Sequence, residues 1–522
     1  MSKNKRFCIK DKGDIMRKET SIKNGIVSII ATITTILATF VTQRILVQYL
    51  GIEYQGLNGL FTNIISMLSI VELGIGPAIV YNLYKPVAEK DVEKIKSLMK
   101  LYKTSYNIIA IIIFIIGMLL LPFMDIIVGD TTIPRIELLY ILVLIDTIVS
   151  YLLTYKRSIL FANQKNYIVN IIHTIYTVVL NIAQILILIF TRNFILFLGI
   201  RIVCRIIENI VTSIVASKLY SYINDKNVQQ LDGETKKDIF TKVKGLLFHK
   251  ISGFIVLGTD NLLMSTFFGL TTVGIYTNYT TVITAVTTLV GQVFNSILGT
   301  IGNVLVTETT ERKHRIYLNL ELLNFWIYSL VSVGFYCCIQ PFINVWIGEG
   351  YLFGRAMLFA IAFNLFMTGM RTNVNTFKSA AGIYHEDRFV PVAESIINIV
   401  ASLILLKVFG VIGIVLGTII SSCVLFLYSY PKYVYSNLFN RPKREYLLLI
   451  TKYFVLHIVV LLVTSFVTQI TSISNNYLEI LKNVVIVLLM VNVTYICLFR
   501  KTEEYKYFKD IILSKLKRSK KV

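Results

Sequence analysis

Long apolar runs separated by short polar segments make up most of the chain. Runs such as 107–123 and 484–491 are too apolar and too frequent for the core of one soluble domain. A helix needs roughly 20 mostly apolar residues to cross the hydrocarbon of a bilayer. The pattern therefore predicts an all-α polytopic membrane protein with fourteen transmembrane helices, at 24–47, 57–82, 105–125, 136–158, 167–190, 194–220, 243–267, 273–305, 317–340, 355–377, 389–408, 411–431, 446–468 and 478–499.

Lys and Arg lie mainly in every second connection between these spans and in both tails. The basic connections include 85–103, 218–244, 312–315 and 432–444. The connections between them carry Arg135, Arg192 and Lys407 alone. Because positively charged residues stay on the cytoplasmic side of a membrane, the pattern predicts an even number of spans with both termini in the cytoplasm.

A polar linker at 221–242 divides the chain after six spans, and a short sequence match relates its two sides. Leu or Phe followed by Gly, four residues and a second Gly occurs after the first span, at Gly51 and Gly56, and after the seventh, at Gly269 and Gly274. Transporters are commonly built from such repeats. We therefore predict a basic cytoplasmic tail (1–23), an N-terminal six-helix bundle (24–220), a cytoplasmic linker (221–242), a C-terminal six-helix bundle (243–431), two additional transmembrane helices (446–499) and a second basic cytoplasmic tail (500–522).

The composition changes this interpretation little but excludes other classes of protein. Of the 522 residues, 55% are hydrophobic and 16% are charged, against about 25% charged residues in soluble domains. The net charge of +22 lies in connections and tails rather than on one soluble face, so it indicates membrane topology and not nucleic-acid binding. The connections on the outer side are too short to hold a catalytic domain.

Sequence motifs of soluble chemistry are missing. The chain has no G-x-x-x-x-G-K-S/T, no H-E-x-x-H and no G-x-S-x-G, which would indicate a nucleotide site, a zinc protease or a serine hydrolase. Its six cysteines form no C-x-x-C pair, so a metal site is not expected. The sequence predicts a transporter rather than an enzyme, without cofactor or metal, driven by a proton or sodium gradient, the membrane potential or substrate mass action.

Charged residues inside the predicted spans are few. An ionisable residue in a span costs some 2.5–3.5 kcal/mol on insertion scales, so it usually faces the bundle interior or a watery cavity. On this argument the candidate cavity residues are Arg44, Glu72, Asp146, Arg201, Arg205, Glu208, Asp260 and Arg371. Glu394 lies a turn or two into the eleventh span, and a hydrogen-bonded packing role is expected for His173 in the fifth.

Arg201, Arg205 and Glu208 share one face of the sixth span, because spacings of four and three return to the same side of a helix. In one interpretation, Arg205 and Glu208 form an ion pair within the helix, and the pairing lowers the free-energy cost of burying the two charges. The other is a cationic wall that Glu208 tunes. Both stay open from the sequence. Acids at depth suit proton or sodium binding, whereas arginines suit phosphate, which they grip through a planar fork of donors.

The stretch around Glu72 combines this acid with helix-breaking residues. Gly74, Gly76 and Pro77 follow it in V-E-L-G-I-G-P-A. No strand precedes them and no Lys-Ser/Thr follows, so they do not form a phosphate loop. We expect them to loosen or kink the second span.

Several stretches resemble a known family. They are Y-L-G-I-E-Y-Q-G-L-N-G-L-F, L-S-I-V-E-L-G-I-G-P-A-I-V-Y-N-L-Y-K-P, the region of Asp260 with F-F-G-L-T-T-V-G-I-Y, and S-I-I-N-I-V-A-S-L-I-L-L-K-V-F-G-V-I-G-I-V-L-G-T-I-I-S. With fourteen spans in a 6 + 6 + 2 arrangement, the chain resembles the multidrug/oligosaccharidyl-lipid/polysaccharide exporter superfamily. Within it, the chain is most similar to the bacterial polysaccharide repeat-unit flippases (Wzx/RfbX type).

The resemblance implies two six-helix bundles that alternate access to a central cavity. It implies transfer of an undecaprenyl-pyrophosphate-linked oligosaccharide from the inner to the outer leaflet of the bacterial cytoplasmic membrane, for capsule, exopolysaccharide or O-antigen assembly. Membrane lipids, a polysaccharide polymerase and glycosyltransferases are the implied partners, and nucleic acid is not. The family uses charged cavity residues, and the matching positions are Arg44, Glu72, Asp146, Arg201, Arg205, Asp260 and Arg371.

Two alternatives remain beside this hypothesis. A cation-coupled multidrug exporter of the same fold favours an acidic, aromatic cavity, whereas this chain has several deep arginines. A membrane polysaccharide polymerase or ligase needs a sizeable outer loop with catalytic residues, and the sequence has none. The regular set of cavity arginines expected of peptidoglycan-precursor flippases is also not evident.

Overall fold

The computed structural model describes the backbone at 3–72, 75–225, 228–229, 231–383 and 386–519; side chains at 3–24, 26, 70–71, 77–78, 238, 240–257, 512 and 515–519 are not described. Among these residues the chain is helical and contains no strand, which confirms the predicted all-α membrane fold. The helices are α1 (Lys3–Leu50), α2 (Ile52–Leu68), α3 (Ile75–Glu89), α4 (Val92–Leu120), α5 (Met124–Val128), α6 (Ile136–Tyr151), α7 (Arg157–Ala162), α8 (Asn166–Thr191), α9 (Phe194–Leu219), α10 (Gly233–Thr307), α11 (Thr310–Trp346), α12 (Arg355–Ala381), α13 (Val390–Phe409), α14 (Val411–Val424), α15 (Asn437–Phe439), α16 (Lys443–Ile470), α17 (Asn476–Phe499) and α18 (Glu503–Ser519).

Each of the fourteen predicted spans falls on helical structure. Ten described helical segments are long and apolar enough to cross a membrane, and one of them, Gly258–Thr307, contains all of the eighth predicted span and the end of the seventh. The other three predicted spans coincide with α2 and α3, with α9 and with α12. These helices are less apolar: α9 carries charged residues at mid-length, α12 is rich in polar residues, and the second span is interrupted.

The second span is interrupted beside its acid. α2 ends at Leu68, a 3-10 turn covers Ser69–Glu72, and α3 begins at Ile75. Leu73 and Gly74 lie outside the described residues, so the expected role of Gly74 is not tested directly. The break itself lies where the glycine-rich stretch was expected to loosen the helix.

Side-chain caps and glycines set the turns between spans. The side chain of Asn193 accepts hydrogen bonds from the backbone N–H groups of Ile195 and Leu196 at the start of α9, which satisfies donors that the helix leaves free. Asn475 does the same at the start of α17. Gly410, with φ 63°, separates α13 from α14, because a left-handed φ suits glycine.

The described residues group into two compact units, Met1–Phe254 with Ser265–Gly274 and Ile255–Met264 with Ile275–Val522. In the first unit, α1 packs on α8, α8 on α9, α9 on α6 and α6 on α4. In the second, α13 packs on α14, and α11 packs on α12, α16 and α17. The predicted domain boundaries and the cytoplasmic position of the termini stay predictions.

The two glycine pairs of the repeated motif meet within the first unit. Gly51 and Gly269 both adopt positive φ, of 98° and 78°. A Cβ atom at position 56 would overlap the carbonyl oxygen of Leu270 and lie 2.9 Å from the backbone nitrogen of Gly274. A Cβ at position 274 would overlap the carbonyl oxygen of Ile52. The second glycine of each motif is therefore required by close backbone contact.

Candidate functional site

A cluster of arginines and carboxylates lies inside the first unit, where α6 and α9 pack together. Asp146 on α6 faces two arginines of α9: its carboxylate lies 3.0 Å from Nε of Arg201 and 3.5 Å from Nε of Arg205. The side chain of Asp146 is 9% exposed and the arginines are 17% and 21% exposed. The fold thus brings Asp146 of the fourth predicted span into contact with Arg201 and Arg205 of the sixth.

Glu208 forms the second half of the cluster. Its side chain is 1% exposed and lies 3.2 Å from Arg205, one helical turn away on α9. It also lies 3.2 Å from Arg157 of α7 and 2.9 Å from Nδ1 of His173 on α8. The expected pair within α9 is therefore present, but it belongs to a larger network over four helices.

The arginines of the cluster outnumber its carboxylates, and most of their N–H donors form no hydrogen bond with a described residue. Three arginines face two carboxylates, and each guanidinium has five N–H donors. Among the described residues, these arginines donate two hydrogen bonds, from Arg157 to Asn209 (2.9 Å) and from Arg205 to Glu208 (3.2 Å). The Nε atoms of all three are buried without an acceptor in hydrogen-bond geometry. The interpretation as an isolated pair within one helix is therefore too narrow, because the site keeps donors for another acceptor.

An apolar groove of about 150 Å³ lies beside the cluster, between α8 and α9. Glu208 and Tyr176 line it together with aliphatic residues such as Ile175 and Val179. The guanidinium of Arg205 lies 4.7 Å from the centre of the Tyr176 ring, a cation–π distance. Charged donors and an apolar surface are thus adjacent, as a ligand with a charged head and an apolar tail requires.

Glu72 and Arg44, the other two candidate cavity residues of the first unit, form no contact with the arginine cluster among the described residues. Glu72 accepts a hydrogen bond from the hydroxyl of Tyr106 (2.6 Å), which in turn accepts one from Tyr102 (3.3 Å). Arg44 on α1 is exposed and forms no ion pair with a described residue. Their part in substrate binding stays a prediction.

In the second unit, Asp260 ends a chain of hydrogen bonds. The hydroxyl of Thr259 donates to Asn398 (3.1 Å), the amide of Asn398 donates to Thr418 (2.9 Å), and the hydroxyl of Thr418 lies 3.1 and 3.0 Å from the two oxygens of Asp260. Asp260 is 5% exposed. No Lys, Arg or His in the described part of the chain pairs with it, so the carboxylate lacks a cationic partner there.

Arg371 on α12 forms an ion pair with a buried acid. Its guanidinium grips Glu394 through two hydrogen bonds of 3.0 and 3.4 Å, a fork that fits a carboxylate. It also approaches the hydroxyl of Ser422 at 3.5 Å. The pair is close to neutral, unlike the cluster of the first unit.

Sequence reasoning missed four charged residues that the fold buries or brings into contact with other charges. Arg157 looked like a flanking residue, because Lys156 precedes it at the end of a predicted span. Glu321 is fully buried on α11 and accepts a hydrogen bond from Asn373 (2.6 Å); as an acid near the start of a span it was detectable. Lys378 and Asp387 pair inside the second unit, and both lie near a predicted span end.

Known structures share the fold at low sequence identity. An inward-facing multidrug resistance MATE family transporter of the MOP superfamily is 17% identical with a TM-score of 0.59, covering 77% of this chain and 97% of its own. The lipid II flippase MurJ in an inward closed conformation is 14% identical with a TM-score of 0.61, covering 91% and 99%. The Vibrio cholerae MATE transporter VcmN is 14% identical with a TM-score of 0.55, covering 81% and 98%. No family model and no curated protein matches the chain.

Proposed function

We propose that a chain with this MOP-superfamily fold is a flippase for an undecaprenyl-pyrophosphate-linked oligosaccharide repeat unit. It moves this lipid from the inner to the outer leaflet of the bacterial cytoplasmic membrane by alternating access, for capsule, exopolysaccharide or O-antigen synthesis. The observation that carries the proposal is the arginine cluster around Asp146 and Glu208. Glycosyltransferases that build the lipid-linked unit and a polymerase that consumes it are the expected partners.

A pyrophosphate suits this cluster chemically. Arginine binds phosphate through paired N–H donors, and most guanidinium donors of Arg157, Arg201 and Arg205 lack a protein acceptor among the described residues. The adjacent apolar groove suits the start of a polyprenyl chain. The similarity of fold to a lipid II flippase is consistent with a lipid-linked substrate.

Asp260 is the proposed coupling site. A buried carboxylate without a cationic partner is costly in a membrane, and a bound proton or sodium ion removes that cost. Thr418 and Asn398 supply further oxygen atoms nearby, which are ligands that hard cations prefer. We therefore propose that a proton or sodium gradient drives transport through this residue.

A cation-coupled multidrug exporter is the second candidate, because one site also fits it. Glu72 with Tyr102 and Tyr106 combines an acid with aromatic rings, and such sites bind organic cations. Two of the similar structures are MATE transporters. The two candidates differ in the sign of the substrate's charge.

The test is transfer of a labelled lipid in proteoliposomes. The full chain is reconstituted with a fluorescent undecaprenyl-pyrophosphate oligosaccharide, and dithionite reports how much of it changes leaflet. The double variant Arg201→Gln/Arg205→Gln should lose transfer while it elutes as the wild type does. Arg312→Gln, an exposed arginine outside the cluster, is the matched control.

Two results would reject the flippase. One is wild-type transfer by the double variant. The other is ethidium transport by the wild type in vesicles that show no lipid transfer, which would favour the exporter. Loss of surface polysaccharide in the native strain carrying the double variant, with normal protein level, would support the flippase in cells.

A further inference from the structure

The last helix, α18, forms a second amphiphilic site that the transport proposal does not use. It follows the final span after a short connection and packs against α11. Residues 500–522 contain nine Lys or Arg and three acids. A basic amphipathic helix directly after a transmembrane helix is typical of a membrane surface element.

A groove of about 380 Å³ lies between α11, α17 and α18. Its walls are apolar and aromatic, with Leu322 and Trp326 from α11, Ile496 from the last turn of α17, and Phe508 and Leu513 from α18. Lys509 is the charged residue in its lining. The groove therefore combines an apolar channel with one positive end.

Side-chain contacts connect the three helices that form the groove. Trp326 donates from its ring nitrogen to the side chain of Asn492 on α17 (2.9 Å). Its ring stacks on Tyr505 of α18, with 6.2 Å between centroids and 17° between planes. Glu503 at the start of α18 reaches Arg315 of α11 at 4.0 Å. Tyr505 follows the end of the last span, the position that Tyr prefers at the headgroups.

Lys509 in the lining of the groove and Lys506, one turn before it on α18, are available to an anion. Lys506 and Lys509 are exposed and lie one helical turn apart on α18, so their side chains neighbour each other. Neither pairs with an acid among the described residues. Leu513 on the same helix remains 43% exposed at the groove. An apolar surface and a free positive charge thus point to an occupant with both an acyl chain and a negative headgroup.

We propose that this groove binds an anionic phospholipid of the leaflet that α18 faces. One acyl chain lies against Trp326 and Leu513, and the headgroup phosphate contacts Lys506 and Lys509. Anionic leaflets attract basic segments by about 1 kcal/mol per Lys or Arg. The site is separate from the arginine cluster of the first unit, so it does not depend on the transported substrate.

Fluorescence quenching tests the proposal, since the chain has two tryptophans. Trp346→Phe leaves Trp326 as the reporter in the full chain, reconstituted with brominated phosphatidylglycerol or brominated phosphatidylcholine at equal mole fraction. We expect phosphatidylglycerol to occupy the site with a preference of roughly fivefold to thirtyfold, as one or two effective lysines predict. Equal quenching by the two lipids would overturn the proposal.

Three variants keep the test decisive. Lys506→Gln/Lys509→Gln should abolish the preference, whereas Lys443→Gln/Arg444→Gln, an equal change of charge at the start of α16, should keep it. If both lose it, the preference is diffuse surface charge and the site is rejected. Trp326→Phe leaves Trp346, about 30 Å away along α11, which should show no preference. Absence of quenching at Trp326 by either lipid would mean that protein covers the groove, which also rejects the proposal.

Discussion

Replacing Asp146 by Asn isolates the electrostatics of the arginine cluster. The carboxylate lies 3.0 Å from Arg201 and 3.5 Å from Arg205 and is 9% exposed. The amide has nearly the same shape but no charge, so the substitution leaves two guanidinium groups facing a neutral side chain. Asn restores the balance only in part, since its amide oxygen can accept a hydrogen bond from one guanidinium but carries no negative charge.

The expected cost follows from removing one partner of a buried ion pair. At an effective dielectric constant near 20, two charges at this distance attract by about 5 kcal/mol, and desolvation offsets part of it. Removal of one partner of a buried pair costs roughly 3–5 kcal/mol, and the partial exposure of both arginines places this case near 3 kcal/mol. At roughly 2 °C per kcal/mol for a cooperative unit of about 250 residues, the Tm should fall by about 6 °C.

The assay is thermal unfolding of the purified full chain in detergent, followed by circular dichroism, because loss of helix is detected in both units. The double variant Asp146→Asn/Arg201→Gln should recover most of the lost Tm, because it removes one charge of each sign. It should still transfer less lipid than the wild type, because one guanidinium is gone. Asp130→Asn, an exposed acid of the same unit, should leave the Tm unchanged.

Two results would refute this reasoning. A Tm of Asp146→Asn equal to that of the wild type would mean that the carboxylate does not stabilise the arginines. Additive losses in the double variant would mean that Asp146 and Arg201 do not interact, because coupled neighbours give an interaction free energy of about 0.5–3 kcal/mol.

Three further predictions address other parts of the chain. Gly56→Leu should lower the Tm strongly, since overpacking costs at least about 1–3 kcal/mol. Gly199→Leu should not lower it, because a Cβ at that position meets nothing within 4 Å. Equal losses of Tm in the two variants would contradict the close backbone contact at Gly56. Arg371→Gln should destabilise the chain by roughly 3 kcal/mol in thermal unfolding, and Arg371→Gln/Glu394→Gln should restore it if the pair is structural. Asp260→Asn should abolish stimulation of lipid transfer by a pH or sodium gradient, and stimulation that persists would reject the coupling site.

The helical fold was predictable because the bilayer imposes one length and one polarity on every span. All fourteen predicted spans therefore fall on helical structure, including the span at α9, whose charges make it less apolar. The interruption at Ser69–Glu72 lies directly before the glycine-rich stretch that was expected to loosen the second span. The bend of α10 at Gly269 was visible as one half of a repeated glycine motif.

The partners of the charged residues were less predictable. Spacing along α9 predicted the contact of Arg205 with Glu208, because both lie on one helix. The contact of Asp146 with the same arginines depends on how α6 packs on α9, and no local pattern records it. Arg157 and Glu321 were missed for a similar reason: a residue's position near a span end does not reveal whether tertiary packing draws it inward.

The way the two units share α10 has a consequence for biosynthesis. Residues 265–274 belong to the first unit, where the hydroxyl of Ser265 donates to the backbone of Val128 (3.1 Å). The preceding ten residues, with Asp260, belong to the second. A ribosome that has completed the linker has therefore not yet made all of the first unit. The first half must wait in the membrane for Gly274, and when two co-expressed fragments are divided at 221–242, the C-terminal fragment must supply a piece of the first unit's fold.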